Sequence, residues 1–318
     1  MVDANWDIII VGAGAAGMSA AIYCTRKRMK TLIISTDVGG QMNLTSHVEN
    51  YPGVDTSISG PDLMNHFKKQ AEKFGTKMLS AKVDKIKKAD KNFKIHVTSG
   101  EEYTAKALIL AFGKSPRELG IPGEKEYMGK GVSSCVTCDG PLFSEKITAV
   151  IGGGNAALEG AIDLMPVAKK VYLIHRRDEF RGDEVTQEKL KKSKNVELVL
   201  NTVPAEIKGD RFVRSLVVEN VKTNKRNELK VDGVFVEIGY EVKTDFLKGL
   251  LETNKANEIV INQKNETSCP GIFAAGDNTS VPYKQAVISA GEGAKAALEA
   301  YAYIQKMEGK PVVPVDWK

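Results

Sequence analysis

Two glycine-rich turns, each between a strand pattern and a helix pattern, constrain this chain more than any other feature. Asp7 to Val11 reads as a buried strand, and Gly12-Ala13-Gly14-Ala15-Ala16-Gly17 follows it. An alanine-rich stretch with helical character then runs to about Arg26, and Thr31 to Ser35 reads as the next strand. Glycines at such a point permit the tight turn and let a pyrophosphate approach the helix N-terminus. The pattern recurs. Ile147 to Ile151 leads into Gly152-Gly153-Gly154-Asn155-Ala156-Ala157, a helix pattern reaches about Met165, and Val171 to Ile174 is a strand. Gly12 and Gly152 stand 140 residues apart. After each unit comes a polar β-meander ending in an apolar strand that meets glycine: Phe93 to Val97 with Ala107 to Gly113, then Leu216 to Val221 with Gly233 to Gly239. The repeat implies an α/β fold of two Rossmann-like, three-layer nucleotide-binding domains, the second inserted into the first.

The chain returns to the first domain with Gly271-Ile272-Phe273-Ala274-Ala275-Gly276-Asp277, a buried strand ending on an acid. A helix from about Tyr283 to Lys306 closes the fold. The first domain is expected at 1–114 and 244–318 and the inserted one at 115–243, with crossings near Pro116 and in Glu241 to Thr244.

Just upstream of the second glycine turn lies Cys135-Val136-Thr137-Cys138, followed by Asp139-Gly140-Pro141. A Cys-x-x-Cys pair can close a redox-active ring or bind metal, and the local Asp offers a proton. Structural zinc usually needs a second ligand pair, and neither Cys24 nor Cys269 offers a spaced partner. Both read as small apolar residues. Two nucleotide sites and one dithiol suggest a relay from nicotinamide to flavin to protein disulfide.

The residue about 20 positions beyond a fingerprint meets the adenine ribose, where arginine accommodates the NADP phosphate. Nineteen positions beyond Ala157 is Arg176, within His175-Arg176-Arg177, and Arg181 lies a turn further on. Guanidinium groups bind phosphate bidentately, so this cluster indicates NADPH. The competing reading is a solvated basic turn, since Asp178, Glu179 and Asp183 are close by. The first domain has Ser35-Thr36-Asp37 at the same point, where Asp37 either meets a ribose or serves the loop. Gly39-Gly40-Gln41 and Glu49-Asn50-Tyr51-Pro52-Gly53 are loops with groups that can line a flavin. Asp277 either accepts hydrogen bonds from a ribityl chain or caps the following turn. The helix opening near Tyr283-Lys284-Gln285-Ala286 can aim its positive end at a flavin.

At 318 residues a two-domain enzyme is the natural expectation, and 42% hydrophobic content with 29 glycines suits a soluble α/β protein. The net charge of +5 comes without a long basic stripe, which argues against nucleic acid. The N-terminus has no basic leader, and no stretch approaches the roughly 20 apolar residues of a membrane helix. A reducing cytoplasm is expected, where a dithiol is catalytic rather than structural. His47, His66 and His96 are isolated and read as surface or core residues.

Together these residues resemble the low-molecular-weight thioredoxin reductases, over almost the whole chain. Gly12 to Gly17, Asn50, Cys135 to Asp139, Gly152 to Ala157, His175 to Arg177 with Arg181, and Gly276-Asp277 with Gln285-Ala286 occur in that family's order and spacing. The resemblance implies a homodimer with FAD in the outer domain and NADPH in the inserted one, which rotates between two arrangements. For FAD it implies Gly12, Gly14, Ala15, Ala16 and Gly17 at the turn, Ser35, Gly40, Gln41 and Asn50 beyond it, and Val83, Ala111 and Gly113 along the meander. Gly276, Asp277, Lys284, Gln285 and Ala286 complete that site. For NADPH it implies Gly152, Gly154, Asn155, Ala156 and Ala157, then His175, Arg176, Arg177 and Arg181, and finally Gly239. Cys138 is implied to take electrons from the flavin, Cys135 to attack the disulfide of a thioredoxin-like protein, and Asp139 to manage protons. The implied activity is that of an NADPH-dependent thioredoxin-disulfide reductase. Alternatives keep the scaffold with a ferredoxin or deazaflavin donor, or a glutaredoxin-like acceptor, or make it a flavin-bound redox sensor. Three departures stand out: Phe112 in Ala111-Phe112-Gly113 where the family has Thr, Tyr240-Glu241-Val242 without the usual Pro-Asn, and Asn278 in place of an apolar residue.

Overall fold

The computed structural model describes residues 5–44, 48, 50–54 and 58–312; His47, Glu49 and the side chain of Cys138 lie outside the described residues. The chain divides into two compact units, Met1–Lys114 with Val242–Lys318, and Ser115–Glu241. The return to the first unit therefore falls slightly before the expected residue 244.

In the first unit β1 (Asn5–Val11), α1 (Ala15–Arg26), β2 (Thr31–Ser35), α2 (Gly60–Lys73) and β3 (Lys77–Ser80) follow in order, with the three strands parallel. An antiparallel meander of β4 (Val83–Ala89), β5 (Asn92–Val97) and β6 (Glu102–Leu110) brings β6 back parallel to β1. Strand β1 is apolar almost throughout because both its faces are covered. Ile8 and Ile10 pack with the helices, while Trp6, Ile9 and Val11 pack with the meander. Helix α1 begins directly after Gly14, in an alanine-rich segment with high helix propensity that includes Gly17. Gly17 is required there, since a side chain would overlap Gly12 O.

The second unit repeats the plan. It runs through β7 (Ser115–Pro116), β8 (Val132–Ser133), α3 (Val136–Asp139), β9 (Ile147–Ile151), α4 (Asn155–Leu164), β10 (Lys170–Ile174), α5 (Glu184–Lys192) and β11 (Val196–Val199). A three-stranded antiparallel sheet follows, β12 (Thr202–Gly209), β13 (Val213–Asn220) and β14 (Arg226–Lys230), before β15 (Gly233–Val236). The parallel sheet has the order β11-β10-β9-β15-β8. Finally β16 (Tyr240–Glu241) pairs antiparallel with β7, so the two crossings lie side by side. Tyr240-Glu241 thus continues as extended chain without the family's Pro-Asn.

Back in the first unit, β17 (Ile272–Ala274) lies parallel to Leu108–Leu110 of β6, on the edge that β5 occupies at Glu102–Ala105. Helix α6 (Ala286–Met307) starts three residues later than expected, with Gln285 as its N-cap. It lies against α1 so closely that a side chain at Gly293 would overlap Ala16 O.

Candidate nucleotide and dithiol sites

In the first unit the expected residues gather at the carboxyl ends of β1, β2, β6 and β17, where sheets of this kind bind ligands. The Gly12–Gly17 turn opens α1, which has no side-chain cap and no acid in its first turn. Gly39 N–H donates to Ala13 O (2.9 Å), laying the Gly40-Gln41 segment against that turn. Asp37 serves the loop, its Oδ2 accepting the Gly40 N–H at 2.9 Å. Asn50 and Gln285, far apart in sequence, meet through Asn50 Nδ2 donating to Gln285 Oε1 (3.2 Å). Gln285 caps no N–H with its side chain, so α6 opens with free backbone donors and no acid in its first turn. Val83 opens β4 with its side chain in the core. Ser289 Oγ donates to Asp277 Oδ1 at 3.4 Å.

Two supports of this site, Glu292 and Glu258, went unread in the sequence, and a third, Asn278, stood out there only as a departure from the family. Glu292 of α6 is buried, and its Oε2 accepts the Gly276 N–H at 2.7 Å; burial pushes its carboxyl up. Glu258 joins Lys114 (2.9 Å) and Lys284 (3.4 Å), while Lys284 Nζ also donates to Thr279 O (2.6 Å). Burial opposes the charge on Glu258, but the hydrogen bonds from Lys114 and Asn254 and the two lysine charges outweigh it and hold the carboxyl at about 2. Asn278, fully buried, donates from Nδ2 to Leu110 O (3.0 Å) and accepts the Gly113 N–H on Oδ1 (3.0 Å). It clamps the Ala111–Gly113 segment to the Gly276-Asp277 turn. Asn278→Leu, the apolar choice, is expected to lower stability, because each buried polar group left unsatisfied costs about 1–3 kcal/mol. A thermal melt that leaves the midpoint unchanged would contradict the clamp.

In the second unit the glycine turn follows β9, the arginines follow β10 and Gly239 follows β15. Gly153 has no room for a side chain because the His175 ring lies beneath it. That ring is buried and stacked on Phe180 (5.4 Å). Burial, then the charges of Arg176, Arg177 and Arg181, lower its pKa against a hydrogen bond with the Glu179 backbone. The His175 ring therefore supports the loop from beneath, in surroundings that disfavour its charged form. Arg181 N–H donates to Gly153 O (2.8 Å), and Asn155 Oδ1 accepts the Asp183 N–H (2.8 Å). The nearby acids are engaged elsewhere: Asp178 pairs with Lys222 at 3.0 Å, and Asp183 caps α5 through the Thr186 N–H at 3.0 Å. Arg176, Arg177 and Arg181 are exposed, and among the described residues no carboxylate pairs with them.

The dithiol segment is anchored by Val136, buried in the helix-side core of this unit, and by Phe143 set edge-on to Phe235 (5.2 Å). Cys135 is half-buried and disulfide-bonded; its N–H donates to Ser133 Oγ at 3.0 Å. Cys24 and Cys269 are free and buried, and burial raises both thiols. Asp139 occupies the N-cap position of the Gly140–Phe143 turn, but its side chain makes no capping hydrogen bond.

Residues 6–293 match the family model of the pyridine nucleotide-disulphide oxidoreductases. The chain belongs to that family. It is 41% identical to the thioredoxin reductase of Helicobacter pylori, over 94% of this chain and 99% of that protein. The crystal structure of Lactococcus lactis thioredoxin reductase in its FR conformation matches with a TM-score of 0.81 at 38% identity, covering 95% of this chain and 99% of that one. The T. acidophilum thioredoxin reductase matches with a TM-score of 0.78 at 35% identity, over 96% and 100%. The oxidoreductase uses FAD and NADPH. Its residues fit both groups. Two uncapped helix N-termini and a side-chain-free turn suit the diphosphate of FAD, and unpaired guanidinium groups suit the extra phosphate of NADPH.

One acid of the oxidoreductase's second unit went unread. Glu237 directly follows β15 and is half-buried; burial pushes its carboxyl up to about 7 against a hydrogen bond with the Val136 backbone. The available signal was an acid ending the apolar run Val234-Phe235-Val236.

Proposed function

We propose that this oxidoreductase is an NADPH-dependent thioredoxin-disulfide reductase, passing electrons through FAD and a Cys135–Cys138 disulfide to the disulfide of a thioredoxin-like protein. One observation carries the reading: the second unit joins three unpaired arginines at a dinucleotide loop with a disulfide-bonded Cys135 in the Cys-x-x-Cys segment. The first unit is the FAD domain and the second the NADPH domain. The α1 turn, Gly12 to Gly17, holds the diphosphate, while Ser35, Gly40, Gln41, Asn50, Ala111, Gly113, Asp277, Lys284 and Ala286 line the rest. FAD, when bound, accepts hydride from NADPH and gives two electrons on to a disulfide. Gly152, Gly154, Asn155, Ala156, Ala157 and Gly239 would hold the NADPH diphosphate and nicotinamide half, and Arg176, Arg177 and Arg181 would bind its 2′-phosphate. Cys138 takes the electrons, Cys135 attacks the partner disulfide, and Asp139 holds or moves the proton. A homodimer acting in the cytoplasm, without nucleic acid or membrane partners, completes the proposal; no described helix is long and apolar enough to cross a membrane.

Turnover with NADPH, reduced ferredoxin or deazaflavin against thioredoxin-like and glutaredoxin-like acceptors tests donor and acceptor together. Replacing Arg176 and Arg177 by Ala is expected to raise the KM for NADPH by roughly one to two decades per residue, at about 1.5–3 kcal/mol for each charge-assisted contact. The KM for NADH should barely move. Wild-type flavin reduced equally well by NADH would show that the arginines read no phosphate.

A further inference from the structure

Glu237 stands where three parts of the second unit meet. Its N–H donates to Ile151 O at the end of β9 (2.8 Å). Its carbonyl lies so close to Gly152 that a side chain on that glycine would overlap it. Its carboxyl is hydrogen-bonded to the backbone of Val136, inside the Cys135–Cys138 segment. Gly160 of α4 leaves room for this contact: a side chain there would come within 2.9 Å of Val136 Cγ2 and 3.9 Å of Glu237 Cγ. A half-buried carboxyl thus lies between the dinucleotide loop and the dithiol helix.

Among the described residues no cation balances it. Burial pushes the carboxyl up, and the Val136 N–H is the one opposing influence. Tyr240, on the turn that follows, has its phenol raised by burial and then by Glu237. Helix α4 brings Glu159 and Asp163 on either side of Gly160, both exposed. The dithiol segment brings Cys135 and Asp139.

We propose that Glu237 and the Cys135–Cys138 dithiol form one coupled acid–base unit, in which Glu237 supplies a proton when the disulfide is reduced and accepts one when a thiol ionises. The inference rests on the reading of those cysteines as the redox pair. Reduction by NADPH breaks the S–S bond with the two electrons of the hydride, which carries one proton; two thiols need two, so Glu237 hands over the second and is reprotonated from solvent. On attack, the Cys135 S–H proton leaves and an S–S bond forms to the partner. The partner's own S–S bond breaks, and its departing thiolate takes up a proton. A carboxyl titrating near neutral pH and hydrogen-bonded to the backbone of Val136, the neighbour of Cys135, matches both needs.

The test reads thiols rather than turnover. The flavin-loaded protein is reduced with dithiothreitol, desalted without oxygen and alkylated with iodoacetamide across the pH range, with the Cys135–Cys138 peptide followed by mass spectrometry. Coupled groups titrate in two macroscopic steps. Wild type should therefore show a lower inflection near the Glu237 titration, at about 7, and a second one above it. Glu237→Gln keeps an oxygen for the Val136 N–H but cannot titrate. It should lose the lower step and alkylate severalfold faster on the alkaline side of neutrality, where no carboxylate opposes the thiolate. Glu237→Ala should lose the same lower step, even if the helix shifts. A step near 7 persisting in both variants would overturn the coupling while leaving the reductase intact. Cysteines that stay unreactive in reduced wild type would instead overturn the function on which it rests.

Discussion

Cys135→Ser and Cys138→Ser are each expected to reduce thioredoxin turnover to background, while NADPH should still bleach the flavin. A two-electron carrier built on a disulfide needs both sulfurs, since one must attack the partner and the other must release it from the mixed disulfide. Serine retains the shape and loses the chemistry. No other sulfur can stand in, because Cys24 and Cys269 are buried with raised thiols. Flavin reduction is expected to survive because the residues assigned to FAD and NADPH lie outside Cys135–Cys138. Stopped-flow absorbance at the flavin band gives the first half-reaction, and insulin-coupled thioredoxin reduction gives the second. Near wild-type disulfide turnover in either variant would mean that the electrons leave by another path.

The two glycine turns were legible because they combine period, composition and steric demand in a short window. Gly17 against Gly12 O and Gly152 against Glu237 O show why no other residue serves. The expected meanders also form, as β4 to β6 and β12 to β14. What stayed hidden depends on partners distant in sequence. In β6 the burial alternates from Glu102 to Lys106 and then becomes continuous to Leu110, where β17 replaces β5 along one edge. The sequence shows that change of pattern but not which strand arrives. The start of α6 at Ala286 rather than Tyr283 reflects Gln285 in extended conformation, its side chain meeting Asn50. Asp37 and His175 both stood where a nucleotide contact was conceivable. Asp37 accepts the Gly40 N–H and the His175 ring lies beneath Gly153, contacts that the flanking residues alone did not reveal. Glu237, Glu258 and Glu292 escaped notice for the same reason. Burial and hydrogen-bond partners make an acid significant, and neither is written in its neighbours along the chain.

Asp139→Asn is expected to slow dithiol exchange by roughly 10²–10⁴-fold, the usual contribution of general acid–base catalysis. Asp139 is the carboxylate adjoining the pair in sequence, at the last residue of α3. The bland alternative is a cap for the turn at Gly140–Phe143, whose loss would cost about 1 kcal/mol of stability and little rate. The structure removes that alternative's main support, since the side chain makes no capping hydrogen bond. Asparagine matches aspartate in size and still accepts a hydrogen bond, but it cannot carry a proton. Melting temperature and NADPH-driven flavin reduction should therefore stay near wild type while reoxidation by thioredoxin disulfide slows. The pH dependence separates this residue from Glu237. Losing a proton carrier lowers the exchange rate at every pH, whereas Glu237→Gln moves the ionisation of the thiols. An Asp139→Asn enzyme that exchanges at full rate would leave Glu237 as the carboxyl that handles the proton.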